Sequence, residues 1–469
     1  MLLERVYDED LAQASYVIGC QAKGEAIVID PRRDLTPYLD LVARKGMRIV
    51  AVAETHIHAD YLSGSRELGA ATGATVYVSA EGGEDWQYEF EAERLRHGEA
   101  VTIGNLTLEA RHTPGHTPEH LSFLVTDGAF SDRPGYLFSG DFVFVGDLGR
   151  PDLLDEAAGG VNTRFGGAHQ LFESLRDEFL TLPDYVQVLP AHGAGSACGR
   201  ALGAIASTTV GYERENAWWA GYLRDGDEEG FVQALLDGQP DAHAYFARMK
   251  RQNKLGPAVM GEQADLVEFD SETLAERLAA NEVIFVDTRH HTEVHTGTVA
   301  GSLNVPSVEK AASYGAWVYD PEREHRPLVV LAPDEATARE FRDHVVRVGI
   351  DTVVGFTASI ERLPREVPSV ISQDQLETTE RAVLLDVRNR TEYESGHIPG
   401  AVQLSGGRVM WRLAELPSSG TIVTYCQSGV RNSVASSALR RAGYDVVELD
   451  GSYTGWLEHQ AENKEINVA

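Results

Sequence analysis

Short apolar runs that end on residues of metal-ligand type recur four times within the first 200 positions. The runs are residues 49–53, 106–110, 136–138 and 186–189, and they lead into segments 55–60 (THIHAD), 112–116 (HTPGH), 139–141 (SGD) and 190–193 (PAHG). Runs of this length predict β-strands. In α/β proteins the carboxyl ends of strands converge on one crevice. The pattern therefore predicts a catalytic metal site built from histidines and aspartates at strand ends.

The pattern changes twice further along the chain. Residues 212–252 carry apolar positions at helical spacing, and residues 253–257 (NKLGP) end that region. Beyond it, residues 284–289 align with 383–388 at an offset of 99, and residues 349–351 align with 443–445 at an offset of 94. Each copy alternates strands with helices, as small parallel α/β domains do. We therefore predict an α/β multidomain chain with domains at 1–257, 265–364 and 369–469.

Composition narrows the range of partners. The chain has 469 residues with 41 Lys and Arg against 72 Asp and Glu, a formal net charge of −31. Such a surface repels phosphate backbones and anionic lipids, so we expect no nucleic-acid and no membrane partner. The three cysteines are too few for a disulfide framework, and no apolar stretch has signal-peptide or membrane-span length. We expect a soluble cytoplasmic protein, and the composition is compatible with a homo-oligomer.

A cysteine follows an apolar run in the second copy. Residues 421–425 lead into Cys426, and the next five residues are Gln427, Ser428, Gly429, Val430 and Arg431, before a predicted helix at 432–442. Backbone N–H groups at a helix N-terminus and the charge of Arg431 both favour a thiolate. We predict that Cys426 is a nucleophile supported by Arg431 and the intervening sulfur-binding loop. The alternative is a buried cysteine that acts as a small hydrophobic residue.

This loop resembles the active-site loop of the rhodanese sulfurtransferases, and the resemblance extends through residues 386–388 (DVR) and 396–401 (GHIPGA). It implies that Cys426 cycles between thiolate and persulfide, with thiosulfate or sulfite as partners. Related phosphatases carry one more residue between cysteine and arginine, which leaves them a weak alternative. In the first copy, Ala332 stands at the cysteine position and Thr337 at the arginine position. That copy is predicted to be rhodanese-like in fold but inactive, as a spacer or docking module.

The first 200 residues resemble the metallo-β-lactamase fold, an αββα sandwich. The residues that carry the resemblance, in the order of that family, are His56, His58, Asp60, the turn 113–116 (TPGH), Asp141 and His192. Dinuclear hydrolases of the family have a histidine directly after the aspartate, where this chain has Tyr61. Because a phenol is a poor zinc ligand compared with an imidazole, one metal ion is favoured over two.

Two imidazoles and one carboxylate form a set that suits non-heme Fe(II). The chain most closely resembles persulfide dioxygenases fused to rhodanese domains. That resemblance implies one Fe(II) on His56, His116 and Asp141, with O2 and a low-molecular-weight thiol persulfide as substrates. It also implies supporting or pocket roles for the remaining site residues, His58, Asp60, Tyr61 and His192. The alternative keeps His58 as a ligand beside His56 and His116 in a single-zinc hydrolase.

Two further residues have open roles. Arg150 is able to hold a substrate carboxylate or, equally, to brace Asp152. Cys198 follows His192 by six positions, so it is close enough in sequence to take up sulfur in the same pocket, although a buried free thiol is the more common case.

The leading hypothesis is a bifunctional sulfane-sulfur enzyme. It combines iron- and O2-dependent oxidation of a thiol persulfide to sulfite with sulfur transfer through Cys426. One alternative is a zinc-dependent thioester hydrolase of the glyoxalase II kind with an appended sulfurtransferase, and another is a non-enzymatic sulfur carrier or docking scaffold. The sequence leaves open the carrier thiol, the direction of transfer, the oligomeric state, the role of Cys198 and any sulfur channelling between Cys426 and the iron.

Overall fold

The computed structural model describes residues 1–156, 159, 162–200 and 202–466. These residues form two compact units, one within 1–242 and 246–263 and the other within 243–245 and 264–466. The second unit contains both sequence repeats, whose limits as separate domains stay a prediction. Across the described residues, no helix combines the length and the apolar character needed to cross a membrane.

Two six-stranded sheets form the first unit. The first sheet runs in chain order, β1 (Leu2–Asp8), β2 (Gln13–Cys20), β3 (Glu25–Ile29), β4 (Arg48–Ala53), β5 (Thr75–Ser79) and β6 (Glu93–Leu95). The second contains β7 (Ala100–Ile103), β8 (Leu106–His112), β9 (Leu121–Asp127), β10 (Tyr136–Gly140), β11 (Gln187–Pro190) and β12 (Thr208–Thr209), again with sequence neighbours adjacent. Strands β3–β6 are parallel, as are β10 and β11. The four predicted strands are therefore present as β4, β8, β10 and β11.

Eight α-helices belong to the described part of the first unit. They are α1 (Thr36–Arg44), α2 (Ser65–Thr72), α3 (Leu153–Glu156), α4 (Thr163–Ser174), α5 (Val210–Asn216), α6 (Ala220–Asp225), α7 (Glu228–Leu236) and α8 (Phe246–Leu255). One apolar cluster lies between the sheets and includes Ile27, Leu108 and Phe123. Others join α1 to the first sheet and α4 to the second. This arrangement confirms the predicted αββα sandwich.

The second unit contains two parallel sheets with the same strand order. Its first repeat comprises β13 (Val267–Glu268), α9 (Ser271–Ala279), β14 (Ile284–Asp287), α10 (His291–Val294), β15 (Thr298–Val299), β16 (Leu303–Asn304), α11 (Ala311–Val318), β17 (Leu328–Leu331), α12 (Glu335–Val346), β18 (Val353–Thr357) and β19 (Arg365–Glu366). The second comprises β20 (Ser369–Ile371), α13 (Gln373–Leu376), β21 (Val383–Asp386), α14 (Arg390–Ser395), β22 (Val402–Gln403), β23 (Ile422–Tyr425), α15 (Val430–Arg441), β24 (Val446–Leu449) and α16 (Ser452–Ile466). The orders are β13-β18-β17-β14-β16 and β20-β24-β23-β21-β22, so the internal sequence repeat is also a structural one.

Candidate metal centre and thiol loop

Three side chains from separate strand ends meet in the first unit. His56 follows β4, His116 lies in the loop between β8 and β9, and Asp141 directly follows β10. One ligand atom from each lies within 4.8 Å of the others, and all three residues are buried. His116 Nε2 is 3.5 Å from Asp141 Oδ2. The residues that the sequence singled out as a metal set are therefore neighbours in space.

Hydrogen bonds to the outer atoms of these residues orient them. His56 Nδ1 is 3.0 Å from Thr55 Oγ1, and His116 Nδ1 is 3.2 Å from the carbonyl oxygen of Arg150. The backbone N–H of Asp141 donates to His120 Nε2 at 3.0 Å. Metal-binding histidines are commonly fixed in this way through the ring nitrogen that does not bind the metal. The sequence did not identify His120 as a supporting residue, because its spacing from His116 also suits simple packing.

The buried atoms of this set fit a metal ion. Neither carboxylate oxygen of Asp141 makes a hydrogen bond within the described residues, although both are buried. Burial raises the pKa of Asp141 to about 6 and lowers that of His116 to about 3. A neutral imidazole is the form that binds metal, and an unpaired buried carboxylate requires a cation or a proton. The donors present therefore suit a divalent cation.

His58 lies in a separate acidic group. Its Nε2 atom is 3.2 Å from Asp30 Oδ1 and 3.2 Å from Glu54 Oε2. Burial alone would lower the pKa of His58, but the two carboxylates, Asp30 first, raise it well above its usual value. This imidazole therefore lies between two carboxylates, with its ring centre 4.1 Å from that of His56.

The other predicted pocket residues divide into two groups. Asp60, His192 and Cys198 also offer ligand atoms within 4.8 Å of one another, and His192 Nε2 is 3.4 Å from both Asp60 Oδ2 and Asp141 Oδ1. Burial, with Asp60 and Asp141, raises the pKa of the Cys198 thiol well above its usual value. The Tyr61 hydroxyl instead donates to the carbonyl oxygen of Asp30 at 3.2 Å.

Arg150 is fully buried, and its guanidinium makes internal bonds. It binds both carboxylate oxygens of Asp152, at 2.9 and 2.5 Å, and donates to the carbonyl oxygens of Ala197 and Pro240. This geometry agrees with the bracing alternative, in which the guanidinium ties together loops around the metal centre.

A cavity of about 890 Å³ opens beside the loop that carries His116. Its lining includes Pro118 of that loop, Trp86, and the cationic side chains Lys250, Arg251 and Lys254 of α8. The Lys250 amine lies 3.5 Å from the centre of the Trp86 ring. Burial lowers the pKa of Lys250 to about 7, although the nearby Glu119 opposes that shift. The sequence did not reveal this wall, because helical spacing alone does not say which face of α8 meets a cavity.

The second unit holds Cys426 at the end of β23. Its buried Sγ accepts the backbone N–H of Gly429 at 3.1 Å, and Ser452 Oγ lies 4.0 Å away. Gly429 precedes α15 with a φ of +111°, a conformation that favours glycine. Of the other loop residues, Val430 begins α15, Ser428 is exposed, and Gln427 Oε1 lies 3.2 Å from Arg388 Nη1.

Arg431 is paired more tightly than the sequence suggested. Its two terminal nitrogens bind Glu392 at 2.6 and 2.8 Å, and this pairing raises its pKa against the effect of burial. The carboxylate offsets part of the positive charge that Arg431 offers to Cys426. The backbone N–H of Gly429 is then the closest donor to the sulfur among the described residues.

The corresponding loop of the first repeat lacks this chemistry. Ala332 follows β17, and Asp334 Oδ1 accepts the backbone N–H of Thr337 at 2.8 Å to cap α12. The Asp334 carboxylate therefore lies at the N-terminus of α12, whereas in the second repeat the N-terminus of α15 faces Cys426. The loop of the first repeat offers no nucleophilic side chain.

Comparisons with known proteins agree with this division. Residues 8–192 match the metallo-beta-lactamase superfamily, and residues 372–459 match the rhodanese-like domain. A crystal structure of a metallo-beta-lactamase from Staphylococcus aureus is 35% identical, with a TM-score of 0.65, over 76% of this chain and 98% of that one. The mitochondrial persulfide dioxygenase ETHE1 of Bos taurus is 28% identical over 200 residues, 41% of this chain and 68% of that protein. Hydroxyacylglutathione hydrolase of Polaromonas sp. is 30% identical over 195 residues, 41% of this chain and 66% of that protein.

Proposed function

Because the chain belongs to the metallo-beta-lactamase superfamily and carries a rhodanese-like domain, we propose that it is a two-site enzyme of sulfane-sulfur metabolism. At the metal centre, a low-molecular-weight thiol persulfide reacts with O2 and water. Its outer sulfur is oxidised to sulfite, with two oxygen atoms from O2 and one from water, the S–S bond breaks, and the free thiol and two protons are released. At Cys426, sulfur is accepted from thiosulfate or a persulfide and passed to an acceptor. Both sites thus handle sulfur that is bonded to another sulfur.

The metal of this proposal is one Fe(II), held by His56, His116 and Asp141. Two imidazoles and one carboxylate are the donors of many non-heme iron sites. The pairing of His58 with Asp30 and Glu54 supports this assignment, because it withdraws the imidazole that a three-histidine zinc site would use. When bound, Fe(II) supplies the one-electron chemistry that reaction with O2 requires.

Protein groups around the centre orient the proposed metal ligands, and the cavity beside it binds the substrate. His120 fixes Asp141, and the hydrogen bond to the Arg150 carbonyl fixes His116. The neighbouring cavity has room for a carrier thiol, and cationic residues of α8 form part of its wall. A carrier with carboxylate or phosphate groups is therefore the favoured substrate class, since opposite charge attracts such a molecule.

Sulfur transfer at Cys426 needs no external oxidant or reductant. With thiosulfate as donor, the Cys426 thiolate attacks the outer sulfur and forms a new S–S bond. The S–S bond of thiosulfate breaks, and its electron pair leaves with sulfite. The product is a Cys426 persulfide anion. The Gly429 N–H, which donates to Cys426 Sγ at 3.1 Å, supports the thiolate that makes the attack.

The observation that carries the proposal is the buried group of His56, His116 and Asp141, whose carboxylate has no hydrogen-bond partner in the described part of the chain. The test is metal analysis after anaerobic purification, with O2 uptake and sulfite formation measured on glutathione persulfide. We expect about one iron per chain and O2-dependent sulfite formation. Zinc-loaded protein that turns over only thioesters, without O2, would contradict the dioxygenase.

A zinc-dependent thioester hydrolase is the second candidate. The similarity to hydroxyacylglutathione hydrolase favours it, and the Asp60, His192 and Cys198 donors offer a place for an additional ion. Anaerobic hydrolysis of a glutathione thioester by zinc-loaded protein is the activity that distinguishes it.

A further inference from the structure

Helix α15, which follows the loop of Cys426 (the sulfur loop, residues 426–431), is hydrogen-bonded to the first repeat. Asn304, at the end of β16, donates its backbone N–H to Ser437 Oγ at 2.9 Å and accepts from Ser433 Oγ at 2.7 Å. Both serines lie on α15, and all three residues are buried. Arg441, the last residue of α15, donates to the carbonyl oxygen of Gly301 at 2.8 Å. The first repeat therefore holds α15 in place at several points.

A second attachment fixes α10 of the first repeat. His295, directly after this helix, places Nε2 3.2 Å from Glu448 Oε2 of β24. Glu448 is buried and also binds Arg440 at 2.8 Å. A buried carboxylate is costly unless its oxygens are paired, so His295 and Arg440 together stabilise Glu448, and His295 holds α10 beside β24.

The attachment of α10 brings His291 against the sulfur loop. A Cβ atom added to Gly429 would come within 2.6 Å of His291 Nε2. The imidazole thus covers the face of Gly429 that a side chain would otherwise occupy. Gly429 is also the residue whose N–H donates to Cys426 Sγ at 3.1 Å. One glycine therefore contacts both the sulfur and a histidine of the other repeat.

We propose that the inactive first repeat is a working part of the sulfur-transfer site and that His291 is its positioning residue. His291 holds Gly429 so that the loop N–H stays directed at the sulfur of Cys426. Glycine has more accessible backbone conformations than any other residue, so its N–H needs an external constraint to keep one direction. This inference rests on the proposed function of Cys426, and it replaces the expected role of the first repeat as a spacer.

The test compares full-length variants in two assays. In His291→Ala, we expect kcat for thiosulfate-dependent sulfur transfer to fall roughly tenfold with a nearly unchanged KM, the size expected from loss of one hydrogen bond to a charged atom. The rate at which iodoacetamide alkylates Cys426 at pH 7, followed by mass spectrometry of its peptide, should fall by a similar factor. His325→Ala is the matched control, because His325 is an exposed histidine elsewhere in the first repeat, and it should change neither value.

Two further variants separate positioning from other effects. His291→Phe keeps a flat ring over Gly429 and should restore most of both rates. Gly429→Ala should be less harmful in the His291→Ala background than alone, because the added Cβ then meets no imidazole. The difference between the effects of Gly429→Ala in the two backgrounds is measurable even if one of the single variants has low stability.

Several outcomes would overturn the proposal. They are unchanged rates in His291→Ala, a His291→Phe variant as slow as the alanine variant, and faster alkylation in His291→Ala, which would mean that the imidazole only shields the thiol. If the unmodified protein transfers no sulfur but His291→Ala still slows alkylation, the positioning role stands and the proposed function of Cys426 fails.

Discussion

His120 Nε2 accepts the backbone N–H of Asp141 at 3.0 Å, so a histidine outside the proposed ligand set fixes the backbone of a residue within it. Its other ring nitrogen, Nδ1, lies 2.9 Å from Thr113 Oγ1, which also contacts Ser122 Oγ. A chain of buried hydrogen bonds thus runs from β9 to Asp141, and its loss would leave a buried N–H without an acceptor.

We predict that His120→Ala lowers iron affinity about 10- to 100-fold, the usual range for loss of such a support. Competition with a metal chelator measures the affinity, and sulfur transfer at Cys426 serves as an internal control for folding. His97→Ala, at an exposed histidine of the same unit, should retain full affinity. Equal affinities in the two variants would show that His120 only packs.

Lys250 provides a pH-dependent test of the cavity. Burial lowers its pKa to about 7, so its positive charge is present below pH 7 and is lost above it. If that charge holds an anionic carrier, KM for glutathione persulfide should rise roughly tenfold between pH 6 and pH 8, following the charged fraction. Lys250→Met should have the high KM at both values, whereas Lys254→Met should retain the pH dependence. A pH-dependent KM that survives in Lys250→Met would assign the titration to another group.

Strand-end patterns were sufficient to predict that His56, His116 and Asp141 meet. They did not show that the strands before these residues belong to two sheets, β4 to the first and β8 and β10 to the second. They were not sufficient to predict that His58 pairs with Asp30 and Glu54. That pairing depends on side-chain direction after β4, which the spacing of the histidines does not encode. The pairing of Arg431 with Glu392 was missed for a similar reason, since it requires α14 to approach the sulfur loop in three dimensions.

The repeat comparison was more informative about chemistry than about architecture. Alanine at position 332, where the second repeat has Cys426, predicts a loop without a nucleophile, and in the structure Asp334 caps α12 at this place. The contact between His291 and Gly429 could not be predicted, because it joins two repeats whose packing is not written in either sequence alone.

Cys426→Ser tests whether the two sites work independently. We expect sulfur transfer to be lost, because a serine hydroxyl is a far weaker nucleophile toward sulfur, while O2 uptake on supplied persulfide stays unchanged. Cys20→Ser is the matched control, because it makes the same chemical change at a buried cysteine outside both sites. An equal loss of O2 uptake in Cys426→Ser would mean that the two-site proposal is wrong.

Metal analysis of a Cys198 variant tests whether the centre binds one metal ion or two. The Cys198 thiol lies with Asp60 and His192 in a group that has the donors for a second ion, but burial and the neighbouring carboxylates raise its pKa well above the usual value. Binding an ion through this sulfur would require loss of that proton, which disfavours a second ion. We therefore expect Cys198→Ala to bind as much iron as the unmodified chain, about one ion each. Asp141→Asn is the comparison that should lose the ion. Metal analysis that gives two ions in the unmodified chain and one in Cys198→Ala would establish a dinuclear centre and contradict the single-iron assignment.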